Sequence, residues 1–154
     1  MGPLFVETSA LAKRYISETG SEWISRLFSD DETGSIYIAE LTIVERTSAV
    51  VRRLKGGSLS PTEAAKTLTS FDRHLVTDYF ILEINSELLR QARVLVSTHG
   101  LRGYDAVQLA VAENFNRNQN DLGLPGVTII SADGELLAAA KADGLVIENP
   151  NSYS

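Results

Sequence analysis

Four acidic residues that lie far apart in the sequence each follow a hydrophobic run or stand near the expected start of a helix. They are Glu7, Glu45, Asp105 and Asp133. A carboxylate beside an apolar core segment is costly to desolvate unless a cation or hydrogen-bond donors neutralise it. If the fold brings several carboxylates together, a hard divalent cation such as Mg²⁺ or Mn²⁺ is the natural partner, because these ions favour oxygen ligands. The sequence therefore suggests a carboxylate metal site.

Each of the four acids also has a purely local interpretation. Glu7, Asp105 and Asp133 each stand where a helix begins, and an acid there satisfies free backbone N–H groups. Glu45 is expected inside a helix, where a single glutamate usually faces solvent. Ser9 lies two residues after Glu7 and can cap the first helical turn, or it can hydrogen-bond a carboxylate. Taken one at a time, the local interpretation is favoured for every acid.

Size and composition set the broad class of the chain. Its 154 residues fit one domain, predicted to span residues 1–148 with a C-terminal tail at 149–154. With 44% hydrophobic and 22% charged residues, the composition is that of a globular protein. The sequence has no cysteine, no signal-peptide pattern and no apolar run long enough for a membrane span, so we expect a cytoplasmic protein. A net charge of −6 argues against nucleic-acid binding by the whole surface, but not against a local basic rim.

Strands alternate with longer helices along the chain, which predicts a parallel sheet with helices on both faces. The predicted strands are residues 3–7, 35–38, 79–84, 127–131 and 146–147. The predicted helices are residues 8–15, 21–29, 41–55, 86–99, 103–116 and 135–141. One more helix is predicted to begin at the capping box of residues 60–63. Residues 116–126 are predicted to be a loop. Ligands of such sheets bind beyond the carboxyl ends of the strands, where Glu7 and Asp133 are expected.

The helix at residues 41–55 carries a mostly apolar stripe at helical spacing. Its members are Leu41, Val44, Ser48, Val51 and Leu54. Residues at this spacing share one face of a helix, so the stripe is the expected packing surface.

Four segments of the chain, taken in order, resemble the PIN-domain family. They are Phe-Val-Glu-Thr-Ser-Ala-Leu-Ala-Lys at the start, Leu-Thr-Ile-Val-Glu-Arg, then Leu-Arg-Gly-Tyr-Asp-Ala-Val-Gln-Leu-Ala, and Ile-Ser-Ala-Asp near the end. The likeness covers nearly the whole chain, and within the family it is greatest to the VapC-type toxins of bacterial toxin–antitoxin pairs. No single segment is specific, but the four in this order are.

The resemblance implies a three-layer α/β sandwich around a mostly parallel sheet, and a Mg²⁺- or Mn²⁺-dependent endoribonuclease. It places the family's four acids on Glu7, Glu45, Asp105 and Asp133, as catalytic and metal-binding residues, with Ser9 as the small polar residue that supports the first acid. It further implies an RNA substrate, a homodimer and a cognate antitoxin whose C-terminal segment occupies the active-site groove.

Basic residues near these segments are candidates for guiding the RNA backbone, because phosphate contacts position a nucleic acid without reading its sequence. The candidates are Arg14, Arg46, Arg52 and Arg102. Each of them also has the ordinary interpretation of a charge on a solvated helix face.

One position departs from the family pattern, which has aspartate where this chain has Glu7. The extra methylene displaces the carboxylate, and Mg²⁺ tolerates little error around its coordination shell of ~2.0–2.1 Å. We therefore expect weakened activity. Two alternatives stay open: a catalytically degenerate PIN-like module that binds RNA or a protein partner, and an aspartyl-phosphate phosphatase. A phosphatase of that kind needs an aspartate nucleophile, and residues 7–9 contain no aspartate.

Overall fold

Five parallel strands form a single sheet with the order β3-β2-β1-β4-β5. The computed structural model describes residues 2–153, so Met1 and Ser154, the outer ends of the predicted domain and tail, lie outside the described residues. The strands are β1 (Leu4–Val6), β2 (Ile36–Ala39), β3 (Phe80–Leu82), β4 (Thr128–Ile130) and β5 (Val146–Glu148). The central strand β1 pairs with β2 on one side and with β4 on the other.

Helices connect the strands. They are α1 (Thr8–Leu11), α2 (Ser21–Ser29), α3 (Leu41–Lys55), α4 (Pro61–Thr77), α5 (Ser86–His99), α6 (Gly103–Asp121) and α7 (Gly134–Ala142). Two short 3₁₀ helices cover Ala12–Arg14 and Pro150–Ser152. In residues 2–153 no helix is long and apolar enough to cross a bilayer.

Two hydrophobic clusters lie on opposite faces of the sheet. Alternate residues of a strand point to opposite faces, so Phe5 packs into one cluster while Leu4 and Val6 pack into the other. The first cluster joins the sheet to α5, α6 and α7, and the second joins it to α1, α2 and α4. The predicted three-layer α/β sandwich is therefore confirmed.

The predicted bounds agree with the structure for α2, α3 and α5. The largest difference is at α6, which continues to Asp121, so the predicted loop is wrong for residues 116–121. Asparagine is a weak helix former, but tertiary contacts override that preference here. The side chain of Asn116 accepts a hydrogen bond from Val127 N at 2.9 Å, and Gln119 donates to Pro125 O at 3.3 Å. The first helix is shorter than predicted, because residues 12–14 turn into a 3₁₀ helix.

The packing surface of α3 also differs from the prediction. Val44 and Val51 of the predicted stripe are exposed, whereas the fully or nearly fully buried residues of α3 are Thr42, Arg46 and Val50. The side of α3 that faces the fold is thus partly polar. Thr42 and Glu45, two polar residues of α3, belong to the site described below.

The capping box at the start of α4 is present, with Glu63 N donating to Ser60 Oγ at 3.1 Å and Ser60 N donating to Glu63 Oε1 at 3.3 Å. We predict that Ser60→Ala lowers the free energy of unfolding by about 1 kcal/mol, because it removes the acceptor for one free N–H of the helix. Thr62→Ala, at an exposed neighbouring position, is the matched control and should change it by less than about 0.5 kcal/mol. Equal effects in urea denaturation would show that the box does not stabilise α4.

Candidate metal centre

The fold brings all four predicted acids to the carboxyl edge of the sheet. Glu7 directly follows β1, and Asp133 lies just beyond β4, the strand that pairs with β1 through Val6 and Ile130. Glu45 lies in the second turn of α3, the helix that follows β2, and Asp105 lies in the first turn of α6. Because parallel strands end at the same edge, positions from both ends of the chain meet there.

Electrostatic coupling links the four carboxylates to one another. Burial, with a small contribution from the nearby Glu45, raises the pKa of Glu7 to about 7 against the lowering effect of its hydrogen bonds. Burial likewise raises the pKa of Asp105 to about 6, with further contributions from Asp133 and Glu45. Arg102 lowers the pKa of Asp105, which places that guanidinium near the cluster. The acids therefore form one interacting group.

Glu7 is held by hydroxyl and backbone donors. It is 4% exposed, and its Oε2 accepts hydrogen bonds from Ser9 Oγ, from Ser9 N at 3.1 Å and from Ser131 Oγ at 2.7 Å. Ser131 also accepts from Asp133 N at 3.0 Å, so it joins the segments that carry the first and fourth acids. Ser9 is similarly shared, because Ala132 N donates to its Oγ at 2.9 Å.

Two of the acids are helix caps as well as members of the cluster. Glu7 caps α1 through its bond from Ser9 N, and Asp133 Oδ1 accepts from Glu135 N and Leu136 N at 3.0 and 3.2 Å. Glu7 and Asp133 therefore each cap a helix, as the local interpretation predicts, and each also belongs to the cluster of acids. Asp105 is not a cap, since the residue at the N-cap of α6 is Arg102.

Glu45 belongs to a second hydrogen-bonded group. Its Oε1 accepts from Thr8 Oγ1 and from Gln108 Nε2, each at 2.9 Å. Gln108 Nε2 also lies 2.9 Å from Thr42 Oγ1 and 3.1 Å from Thr8 Oγ1, and the two threonine hydroxyls are 3.0 Å apart. Gln108 and Thr42 are both 0% exposed.

The sequence interpretation did not identify four of these polar residues, namely Thr8, Thr42, Gln108 and Ser131. A spacing signal exists for two of them. Thr42 is three residues before Glu45 and Gln108 is three residues after Asp105, so each shares a helix face with an acid. A polar residue at that spacing from a site acid, on a helix packed against the sheet, points to the same site.

The four candidate arginines lie in different surroundings. Arg14 forms an ion pair with Asp78 at 2.6 Å, donates to Tyr79 Oη at 2.7 Å and lies over the ring of Phe28. Arg46 is 3% exposed, with its guanidinium near the ring of Tyr15. Arg14 is thus held by partners within the fold, whereas Arg46 is buried and its Nε has no hydrogen-bond partner among the described residues. Arg52 and Arg102 are exposed.

The donor set fits Mg²⁺ or Mn²⁺ in its chemistry, since every candidate ligand is a carboxylate oxygen. Among residues 2–153, no three His, Cys, Asp or Glu side chains are grouped closely enough to hold one ion together. This arrangement still suits Mg²⁺, which keeps several waters and is usually bound by one or two carboxylates together with substrate phosphates. Glu7 Oε1 and Glu45 Oε2 accept no hydrogen bond from residues 2–153 and are free to act as ligands.

Comparisons with known proteins agree with this fold. The family model described as PIN domain matches residues 4–142. Three solved structures with a similar fold are VapC20 of Mycobacterium tuberculosis, described as a sarcin-ricin loop cleaving toxin, FitAcB of Neisseria gonorrhoeae, and VapBC2 of Rickettsia felis bound to a DNA fragment from their promoter. A search of curated proteins found no match.

The three structures are similar to this chain over most of its length but at low sequence identity. For the M. tuberculosis protein the identity is 18% and the TM-score 0.63, over 93% of this chain and 96% of that one. For the N. gonorrhoeae protein the values are 15% and 0.60, over 96% and 97%. For the R. felis protein they are 14% and 0.59, over 96% and 98%. At this identity the likeness establishes the fold.

The raised pKa of Glu7 predicts a pH dependence of stability in EDTA. Between about pH 4.5 and 7 the unfolded chain has released this proton and the folded chain keeps it, so stability falls as the pH rises. At 1.36 kcal/mol per pKa unit, the loss by pH 8 is on the order of 3 kcal/mol. Glu7→Gln removes this contribution, and the variant should gain stability relative to wild type from pH 5 to pH 8.

Thermal or urea unfolding at both pH values measures this difference. Glu32→Gln, at an exposed position, is the matched control and should keep the wild-type pH profile. Parallel profiles for wild type and Glu7→Gln would mean that Glu7 does not retain a proton in the folded chain.

Proposed function

The chain belongs to the PIN-domain family, and from that premise we propose that it is a metal-dependent endoribonuclease of the toxin type, which hydrolyses RNA phosphodiester bonds with Mg²⁺ or Mn²⁺. The observation that carries the proposal is the convergence of Glu7, Glu45, Asp105 and Asp133 at one edge of the sheet. There, burial and neighbouring acids raise the pKa values of Glu7 and Asp105. A cluster of carboxylates with raised pKa values, next to an exposed arginine, is typical of a functional site.

When bound, the divalent ion would supply an activated water and relieve charge on the phosphoryl oxygens. We assign Glu7 and Asp105 as direct ligands, and Glu45 and Asp133 as ligands through water or to a second ion. Ser9 and Ser131 fix the Glu7 carboxylate through its Oε2, which directs Oε1 to the ligand. The longer side chain of Glu7 is thus held by two hydroxyls rather than left mobile, and this supports activity that is reduced relative to an aspartate but real.

Arg102 and Arg52 are the basic residues that we assign to the RNA backbone. Arg102 precedes α6 and is close enough to Asp105 to lower its pKa, so a phosphate bound at the carboxylates would be within its field. The overall charge of −6 means that attraction of RNA depends on such local cations. Arg14 and Arg46 do not form part of this assignment, because Arg14 is paired with Asp78 and Arg46 is buried.

We also propose a cognate antitoxin and a homodimer, on the likeness to the VapC-type toxins, with activity in the cytoplasm where RNA and the antitoxin are met. The exposed Val44 and Val51 of α3 offer apolar surface for such protein contacts.

We predict that Asp105→Asn lowers metal-dependent RNA cleavage by about a hundredfold or more, since it removes a charged ligand while the side chain keeps its size. Asp121→Asn, at the exposed far end of α6, is the matched control and should cleave like wild type. The assay uses Mn²⁺ with an EDTA arm, and circular dichroism checks the fold. Undiminished cleavage by Asp105→Asn would refute the assignment of this residue.

The two alternatives are separated by simple measurements. If the chain is a catalytically degenerate module, wild type should not cleave RNA and should give no heat of Mn²⁺ binding in calorimetry, whereas Glu7→Asp should bind the ion. If the chain is an aspartyl-phosphate phosphatase, it should hydrolyse a generic aryl phosphate and should not cleave RNA. We expect RNA cleavage and Mn²⁺ binding by wild type and no turnover of the aryl phosphate.

A separate prediction concerns Arg102. Arg102→Ala should raise KM for RNA several-fold at low salt and reduce the salt dependence of KM by about one phosphate contact. Arg90→Ala, an exposed arginine on α5 that pairs with Glu87, is the control. If the two variants raise KM equally, Arg102 has no special contact with the substrate.

A further inference from the structure

Gln108 is a fully buried amide whose hydrogen bonding is incomplete. Its Oε1 has no donor among the described residues, although the side chain is 0% exposed. A buried polar atom without a partner costs about 1–3 kcal/mol and calls for an explanation. On α6 the neighbouring core positions are apolar, so an apolar residue at position 108 would avoid this cost. The other end of the same side chain supplies the reason for the amide.

Gln108 Nε2 completes a closed ring of hydrogen bonds with Thr8, Thr42 and Glu45. Nε2 has two hydrogens, and in the ring one goes to Glu45 Oε1 and the other to Thr42 Oγ1. Thr42 Oγ1 then donates to Thr8 Oγ1, and Thr8 Oγ1 donates to Glu45 Oε1. Every hydrogen has one acceptor, and Glu45 takes part only as an acceptor.

The opposite orientation of the Gln108 amide is excluded by the same contacts. It would place Oε1 at 2.9 Å from Glu45 Oε1, where two acceptors repel each other. The carboxylate of Glu45 therefore fixes the amide, and the amide in turn fixes the carboxylate.

We propose that Gln108 and Thr42 are positioning residues for Glu45: Gln108 binds its Oε1 together with Thr8, Thr42 holds both of these donors in place, and Oε2 is left as the oxygen available to a divalent ion. This inference rests on the proposed function and goes beyond it by assigning a role to two residues that contact no ligand. Ser9 and Ser131 bind one oxygen of Glu7 in a similar way, so both glutamates of the site present a single oxygen. A glutamate has one more rotatable bond than an aspartate, and saturation of one oxygen removes that freedom.

The test measures Mn²⁺ affinity from the electron paramagnetic resonance signal of the free ion, without RNA. We expect Gln108→Leu to weaken Mn²⁺ binding by about tenfold to a hundredfold, the usual effect of removing a residue that orients a metal ligand. Thr42→Val should weaken binding as well, because it keeps the shape and removes one donor of the ring. Thr42→Ser keeps the hydroxyl and should retain an affinity within about twofold of wild type.

Val111→Ala on α6 is the control for a change in stability alone, because Val111 is buried in the apolar cluster and makes no bond in the ring. It should lower the thermal midpoint and leave Mn²⁺ affinity unchanged. The inference is overturned if Gln108→Leu binds like wild type, if Thr42→Val and Thr42→Ser behave alike, or if Val111→Ala loses as much affinity as Gln108→Leu. If Gln108→Leu does not fold, the two threonine variants decide.

Two further samples distinguish failure of this inference from failure of the proposed function. Wild type must bind Mn²⁺ and Asp105→Asn must bind it more weakly. If wild type binds no ion, the metal-dependent function fails and the positioning role fails with it. If wild type and Asp105→Asn behave as proposed while the ring variants match wild type, only the positioning role is overturned.

Discussion

Burial of carboxylates beside one another at the edge of a parallel sheet is the constraint on which the rest of this structure depends. Glu7, Glu45, Asp105 and Asp133 come from four separate segments and meet where β1 and β4 end. Burial and like charge raise the pKa values of Glu7 and Asp105, which means that the metal-free fold favours protons at these positions. A bound divalent cation would replace those protons, and in the metal-free fold hydrogen-bond donors hold Glu7 and Glu45.

Those donors have a regular arrangement. Ser9 and Ser131 hold one oxygen of Glu7, while Thr8 and Gln108 hold one oxygen of Glu45. The serines link the start of the chain to the segment after β4, and the threonine and glutamine link it to α3 and α6. The same hydrogen bonds that orient the carboxylates therefore also join four parts of the fold, so the geometry of the site and the packing around it are not independent.

Much of the fold was predictable from the sequence, because hydrophobic periodicity and helix caps are local signals. The bounds of α2, α3 and α5 and the capping box of α4 follow from such signals. The extension of α6 was not predictable from local preference, since Asn116 is placed by its contact with Val127, eleven residues later. The buried side of α3 was mistaken for a related reason, because Thr42 and Arg46 are buried by contacts with other parts of the chain.

The candidate site, like the fold, was predictable where the signal is local and not where it depends on tertiary contacts. The four acids were identified from their place at the ends of apolar runs and from the family resemblance, both of which can be read along the chain. The hydrogen bonds of Gln108 and Ser131 span 63 and 124 residues, to Glu45 and Glu7 respectively. Gln108 has a local sign in its spacing from Asp105, whereas no local pattern reveals Ser131. Arg14 and Arg46 were candidates for RNA contacts by charge alone, and only tertiary packing shows that Arg14 is paired with Asp78 and that Arg46 is buried.

The most direct test of the account is the number of protons released when Mn²⁺ binds, measured by calorimetry in buffers of different ionisation enthalpy. If the ion displaces protons from Glu7 and Asp105, binding at pH 6 should release about 1.4 protons per chain, and the release should fall towards zero at pH 8.5. Absence of binding, or binding with the same proton count at both pH values, would contradict the claim that these carboxylates form one metal centre.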